Sequence, residues 1–434
     1  MSGQILRPTV LERLAITLAR PVEQRLRERA SWHLLDWLGC ASAAASRDVG
    51  RIVARIPARG TARDAFVWGS LGNVLEMDDV DKRALLHPGP TVVPVVLSLA
   101  RELQPTPAEA LDAVVRGYEA TIRLGRAVGP SHYAVFHSTG TCGPIGAAAA
   151  ASSMLGLSPE TTAHAMALAV SQAAGLWQTR HEPESMGKQL HTAHASRAGL
   201  ESAKLAKDGM MGPLSVLEGA QGFFAAMCPG ADAEMVLAPE GLGRILDVSF
   251  KPWPVCRHAH AAIDAALQLR GGSGWQSAPA IEVGTYRDAL TFCDRLHPST
   301  EIEAKFSIQH AVAVTLLHGP PRLGMFTGDA LDDRDTKAIR QRINLSVDEG
   351  IDQAYPQRFG ARIDIGGSVA EITDALGDPE NPISLEKLCD KARGLFAEAG
   401  RPASTADAII AAVLALPDTD TTDDVNAVVD EVLP

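Results

Sequence analysis

The sequence predicts a mainly α protein: a large all-helical domain formed by both chain ends, with a smaller α+β domain inserted between them. Three observations point there. From residue 8 to about 245, apolar residues recur at helical spacing and strand patterns are nearly absent. At Lys251-Pro252-Trp253-Pro254 two prolines interrupt any helix, and short alternating runs follow. From about Leu385 the helical spacing returns, and in the simplest arrangement this tail rejoins the first domain. The expected boundaries are therefore 1–247, 248–384 and 385–434.

Within the first domain, Thr106-Pro107-Ala108-Glu109 is a capping box with proline at the first helical position, and Leu111, Val114, Val115, Tyr118 and Ile122 mark one apolar face. Ser158-Pro159-Glu160 starts a second helix carrying Met166 and Val170. Alanine and glycine are abundant from Gly143 to Gly175, which lets helices approach closely and suggests a central pair in a bundle. Ser152, Ser153, Ser158-Pro159-Glu160 and His164 break that run, so it reads as two buried helices and not as a membrane span. In the second domain Ile281 to Tyr286 and Arg342 to Val347 alternate as half-buried strands, and Arg362 to Val369 reads as a hairpin turning on Gly366-Gly367. A helix is expected near Glu303 to Leu317.

The composition is that of a globular chain with room for two domains: 434 residues, 46% hydrophobic and 21% charged. A formal net charge of −12, with no basic block, argues against nucleic acid or an anionic membrane as partner and leaves small anionic substrates open. Six scattered cysteines without a CxxC pair fit a reducing compartment, and the expected location is cytoplasmic. Glu12 and Arg13 interrupt the apolar N-terminal stretch, which therefore lacks the core of a signal peptide. No GxGxxG follows a strand and Gly187-Lys188 lacks the rest of a P-loop, so no nucleotide cofactor is expected.

The chemistry concentrates between His132 and His194. His137 precedes Ser138-Thr139-Gly140-Thr141-Cys142-Gly143, a loop feeding a helix N-terminus, where backbone N–H groups attract anions and an imidazole can exchange a proton. The blander reading has Ser138, Thr139 and Thr141 as caps and His137 as a satisfied core histidine. Lys188 stands near the start of a helix expected over Gln189 to Lys207, on the unfavourable side of its dipole, and one turn before His191 on the same face. A cation placed there can hold a carboxylate or stabilise an enolate. A second constellation is Glu76-Met77-Asp78-Asp79-Val80-Asp81 upstream of His87. Such carboxylates can position the histidine, bind a divalent metal, or form a solvated loop; the fixed spacing of a zinc motif is absent, and no metal is expected.

LEMDDVDKRALLHPGPTVVP, GRAVGPSHYAVFHSTGTCGPIGAAAAA, KQLHTAHASRAGL, KPWPVCRHAHAAIDAAL and EAKFSIQHAVAVTLLHG, in this order and spacing, resemble the MmgE/PrpD family, which includes 2-methylcitrate dehydratase, cis-aconitate decarboxylase and iminodisuccinate epimerase. The resemblance spans roughly residues 10 to 400. It implies a helical domain with an α+β lid, a homodimer, an active site between the domains with no organic cofactor, and small di- or tricarboxylates as substrates. It places the catalytic residues at His87, His137, Lys188, Asp78 and Asp79. Lys251 matches a lysine of the same pocket, and Glu76, His191, His132, Cys256 and Tyr286 are the further expected substrate-binding residues. Four positions depart from the decarboxylase branch. Glu76 stands for the aspartate opening its DFDD motif, Val80 for a threonine, Cys256 for a histidine, and Phe292 for the catalytic tyrosine, with Tyr286 six residues earlier.

The chemistry common to such enzymes removes a proton next to a carboxylate, and cations already in place meet the enolate's charge. Loss of a β-hydroxyl then gives a dehydratase, proton return on the opposite face an epimerase, and loss of carbon dioxide a decarboxylase. The expected activity is a cofactor-independent hydro-lyase on a hydroxylated di- or tricarboxylate. An epimerase or racemase on the same scaffold is the first alternative, and a non-catalytic carboxylate-binding protein the second. A metal-dependent hydrolase rests only on the Asp78, Asp79 and His87 cluster.

Overall fold

The computed structural model describes residues 7–57, 60–182, 184–272, 274–420, 429–431 and 433; the first six residues of the N-terminal stretch considered above lie outside them. The chain divides into two compact units. One comprises the described residues up to 74, residues 78–248 and the described residues from 386 onward; the other comprises 75–77 and 249–385.

The first unit is helical. Its N-terminal part runs through α1 (Val10–Leu18), α2 (Gln24–Ala44), α3 (Asp48–Val53), α4 (Thr61–Leu71), α5 (Gly89–Leu103), α6 (Pro107–Ala127) and α7 (Gly129–Tyr133). Then come α8 (Ser138–Met154), α9 (Pro159–Val170), α10 (Gly187–Lys207) and the short α11 (Phe223–Met227). Capping boxes start α1 at Thr9/Glu12 and α6 at Thr106/Glu109, satisfying N–H groups that a helix start leaves open. The hub is α8, buried from Ser138 to Ser152 and packed against α5, α6, α9 and α10. Small residues make this possible. A Cβ on Gly146 would lie 1.7 Å from the Thr121 hydroxyl on α6, and one on Gly199 of α10 would lie 2.3 Å from Ala147 Cβ.

Helix α10 begins two residues before the expected Gln189, and Leu190 in its first turn is 55% exposed. No described helix is long and apolar enough to cross a membrane.

The second unit contains α12 (His260–Arg270), β1 (Ile281–Thr285), α13 (Arg287–Cys293), α14 (Glu301–Lys305), α15 (Ile308–His318), α16 (Arg334–Arg340), β2 (Ile343–Val347), α17 (Glu349–Ala354), β3 (Ala361–Ile365) and β4 (Ser368–Ile372). The sheet order is β2-β1-β3-β4; β1 pairs parallel with β2, and the other pairs are antiparallel. Gly366 and Gly367, at φ 61° and 91°, make the β3–β4 turn in the left-handed region that glycine enters without a Cβ clash. The single helix expected over Glu303 to Leu317 is two. It breaks before Ile308, where the Ser307 hydroxyl accepts the His310 N–H to cap α15 and donates to the Arg295 carbonyl at 2.6 Å.

Further along the chain come α18 (Leu385–Glu398) and α19 (Ala403–Ala415). The latter packs on α2, and Lys391 of α18 reaches Asp36 of α2 at 2.5 Å.

Candidate active site

His137 is the residue on which α8 starts: it occupies the N-cap position, where its side chain makes no capping bond. Its ring is 1% exposed and lies against Trp177, centroids 4.5 Å apart. Its Nδ1 meets His191 Nδ1 at 3.2 Å, one ring donating to the other, while the buried Nε2 has no hydrogen-bond partner among the described residues. Burial first, then the charges of Lys188, His191 and His87, hold its proton affinity well below the usual imidazole range, with Asp78 opposing. Lys188, His191, His87 and Asp78 thus all lie within electrostatic reach of His137. Lys188 is the second residue of α10, half-buried, and His191 follows one turn later.

Of the expected caps, Thr139 and Thr141 are otherwise engaged, and the buried Ser138 hydroxyl has no hydrogen-bond partner among the described residues. The Thr139 hydroxyl accepts the His87 backbone N–H at 3.0 Å, tying the two histidine-bearing segments together, and Thr141 bonds His132.

The acidic segment is buried, not solvated: Glu76, Asp78, Asp79 and Asp81 are each at most 3% exposed. Every one of these carboxylates has partners, as buried charges require. Asp78 accepts from the Asn73 amide at 2.8 Å and 2.9 Å and meets His87 Nδ1 at 2.9 Å. His87 Nδ1 also lies 3.0 Å from the Asp79 carbonyl, which leaves Nε2 as the ring's other proton-exchanging atom. Asp79 is saturated. Its Oδ2 receives the Tyr118 hydroxyl and His33 Nδ1, both at 2.7 Å, and its Oδ1 receives the Gly89 N–H at 3.0 Å. Asp81 takes the Ala84 N–H and the Arg126 guanidinium. Donors surround Asp78 and Asp79, which is a setting for orienting a histidine and a poor one for a cation.

His132 does not join the His137 group. Its Nε2 bonds the Thr141 hydroxyl at 2.7 Å, its Nδ1 the Met227 carbonyl at 3.1 Å, and its ring stacks on Phe136, so both nitrogens are occupied by structural partners.

Glu76, Lys251, Cys256 and Tyr286 belong to the second unit. There Lys251 and Glu76, both buried, pair at 3.6 Å. The Cys256 and Cys293 thiols are hydrogen-bonded, and burial pushes Cys293 well above the ordinary thiol range. Tyr286 is not placed as a free proton donor: its hydroxyl bonds His258 Nδ1 at 2.6 Å, within rings that include Tyr355 and Phe359. Phe292 stacks on the same His258 at 5.0 Å.

The MmgE/PrpD N-terminal domain is matched by residues 16–236 and the MmgE/PrpD C-terminal domain by residues 253–416. The chain belongs to the MmgE/PrpD family. Among its relatives, cis-aconitate decarboxylase of Mus musculus is 26% identical over 352 residues, covering 76% of this chain and 70% of the relative. Cis-aconitate decarboxylase of Aspergillus terreus is 23% identical over 415 residues, 85% and 84% of the two chains. The mitochondrial 2-methylcitrate dehydratase of Yarrowia lipolytica is 27% identical over 278 residues, 58% and 53%. The protein is an enzyme of this family.

Sequence reading of this MmgE/PrpD chain missed the layer behind the acidic segment. Arg29, His33 and Asp36 form a polar stripe on α2, with His33 on Asp79 and Asp36 on Lys391. Burial lowers Arg29 to about 10 and His33 to about 4, and raises Asp36 to about 6. The signal was present: three polar residues at positions i, i+4 and i+7 inside an otherwise apolar helix face. Tyr118 gave no such signal, because it reads as one more apolar-face residue of α6.

Proposed function

We propose that this protein is a cofactor-independent lyase of the hydro-lyase type, acting on a small hydroxylated di- or tricarboxylate by removing a proton next to a carboxylate. The observation that carries this reading is the buried Nε2 of His137, without a hydrogen-bond partner among the described residues and within electrostatic reach of Lys188, His191 and His87. Depressed proton affinity keeps His137 neutral near pH 7, the state a general base needs. His137 takes the α-proton, and the ammonium of Lys188 meets the charge of the resulting enolate. His87, held through Nδ1 by Asp78 and the Asp79 carbonyl, gives a proton from Nε2 to the β-hydroxyl, which leaves as water. Asp78 and Asp79 act as positioning residues. The relatives named cis-aconitate decarboxylase and 2-methylcitrate dehydratase support a lyase of this kind.

A second reading, epimerisation of a dicarboxylate, is favoured by the three imidazoles of His87, His137 and His191 in the same group and by Phe292 at the position expected for a tyrosine. A panel of di- and tricarboxylates followed by proton NMR in heavy water separates the two. Dehydration yields an alkene signal and loss of the β-hydroxyl, whereas epimerisation yields deuterium at the α-carbon with no loss of water. Full turnover of every accepted substrate by both His137→Ala and Lys188→Ala would sink the proposal.

We further infer a homodimer, supported by the exposed apolar residues Val135 (52%), Leu176 (57%), Met186 (42%) and Leu190 (55%) flanking the histidines. A monomeric mass in sedimentation equilibrium would exclude it.

A further inference from the structure

Three arginines are buried among the described residues: Arg123, Arg257 and Arg340. Arg123 is paired with Glu119 and Arg257 with Asp378. Arg340, 3% exposed at the end of α16, makes no ion pair among the described residues. A buried guanidinium without a counter-anion is costly, and natural proteins pair such charges.

Its surroundings show what is missing. Arg340 Nη1 lies 3.2 Å from His310 Nδ1, and His310 Nε2 lies 2.8 Å from the Met325 carbonyl. These contacts fix the tautomer, with Nε2–H donating to Met325 and the Nδ1 lone pair accepting from Arg340. His310 is therefore neutral, in agreement with burial lowering it to about 4, and supplies no negative charge. Arg340 Nε is buried with no hydrogen-bond partner among the described residues.

The guanidinium lines a cavity of about 430 Å³ in the second unit, with His297, Thr300, Glu301, Asp332 and Lys337. Of the carboxylates in this lining, Glu301 is paired with Lys305 at 2.7 Å and Asp332 with Lys337 at 2.6 Å, and the charge of Asp332 also acts on Arg340 without an ion pair to it; counted with Lys305 behind the wall, the three cations Lys305, Lys337 and Arg340 face two carboxylates. The Thr300 hydroxyl accepts the Glu303 N–H and keeps its own proton for donation. A cavity of this size holds a small metabolite, and a planar fork with open N–H groups recognises oxyanions.

We propose that this cavity is a binding site for a small oxyanion, the carboxylate or phosphate group of a metabolite, anchored on Arg340. The site is separate in sequence and in residues from the His137 group, and it stands whether or not the proposed lyase reaction is right.

Thermal unfolding of the whole protein tests it, with inorganic phosphate or acetate titrated against chloride at constant ionic strength. Ligand that binds only the folded state raises Tm in a saturable way. The expected result is such a rise with phosphate, acetate or both, the arm that responds naming the anion class. Arg340→Gln is expected to abolish the rise and Lys188→Met, at the proposed catalytic lysine, to leave it intact. Lys337→Gln, on the half-exposed wall, keeps the test open should Arg340→Gln fail to fold, and is expected to weaken binding about tenfold. No rise with either anion in the wild type overturns the proposal. So does a full rise in Arg340→Gln, an unchanged affinity in Lys337→Gln, or a rise that disappears with Lys188→Met.

Discussion

At the residue scale, the environment of His137 makes a prediction with a definite sign. Burial and neighbouring positive charge favour its neutral form, so the acid limb of kcat/KM is expected below the ordinary imidazole value of about 6.5. Lys188→Met removes one of those charges, raises the affinity of His137 for a proton, and moves the limb to higher pH. A limb that stays in place would show that Lys188 does not act on His137. Asp78 bears on the other histidine. Asp78→Asn keeps the shape but loses the charge that holds His87 Nδ1–H, and kcat is expected to fall by about 10² or more, the scale of general acid–base catalysis, with KM little changed. Tyr118→Phe leaves Asp79 with His33 and the Gly89 N–H, so a smaller loss of kcat, of about tenfold, is expected. Equal rise of KM in both variants would instead indicate substrate contact. His137, Lys188 and His87 stood out in the sequence as reactive groups in an apolar setting, and in the folded chain the charges of Lys188 and His87 act on His137. His132 stood out equally, yet its ring nitrogens bond Thr141 and the Met227 carbonyl, and nothing in the spacing tells that Met227, 95 residues away, supplies a partner.

At the scale of the element, α8 and its neighbours position His137 and Lys188 from helix starts, and their closeness depends on small residues. Gly146→Ala drives a methyl into Thr121, and Gly199→Ala drives one into Ala147. Each is expected to destabilise the fold by about 1–3 kcal/mol, read as a lower denaturant midpoint, because a tightly packed core accommodates extra volume poorly. A midpoint equal to wild type would mean that the helices separate freely. The helices themselves were legible: Thr106 and Ser158 announced their starts, and the alanine run announced close packing. The boundary at Gly187 and the break before Ile308 were not. The first has Met186 at its N-cap, which makes no side-chain capping bond, and the second depends on Ser307 reaching the Arg295 carbonyl, a tertiary contact.

For the whole molecule, buried neutral histidines set the acid response. Burial lowers His258 to about 3 and His310 to about 4, against about 6.5 in an unfolded chain. Between those values the unfolded state binds more protons, so stability is fully present above pH 6.5 and falls as the pH drops toward 4. His258→Phe, which keeps a ring among Phe292, Phe359 and Tyr286, is expected to flatten that fall; a slope unchanged from wild type would rule His258 out as a source. The mainly helical composition, the four short strands and the glycine hairpin followed from periodicity and turn chemistry, which are local. The buried network of Asp79, His33, Tyr118 and Arg29 did not, because it joins segments that only the folded chain brings together. The central claim is that His137 removes a proton next to a carboxylate with Lys188 beside it. Solvent deuterium entering the α-carbon of an accepted carboxylate, followed by NMR, tests this most directly: the wild type is expected to show exchange and His137→Gln to lose it by at least about 10², whereas wild-type exchange rates in His137→Gln would contradict the account.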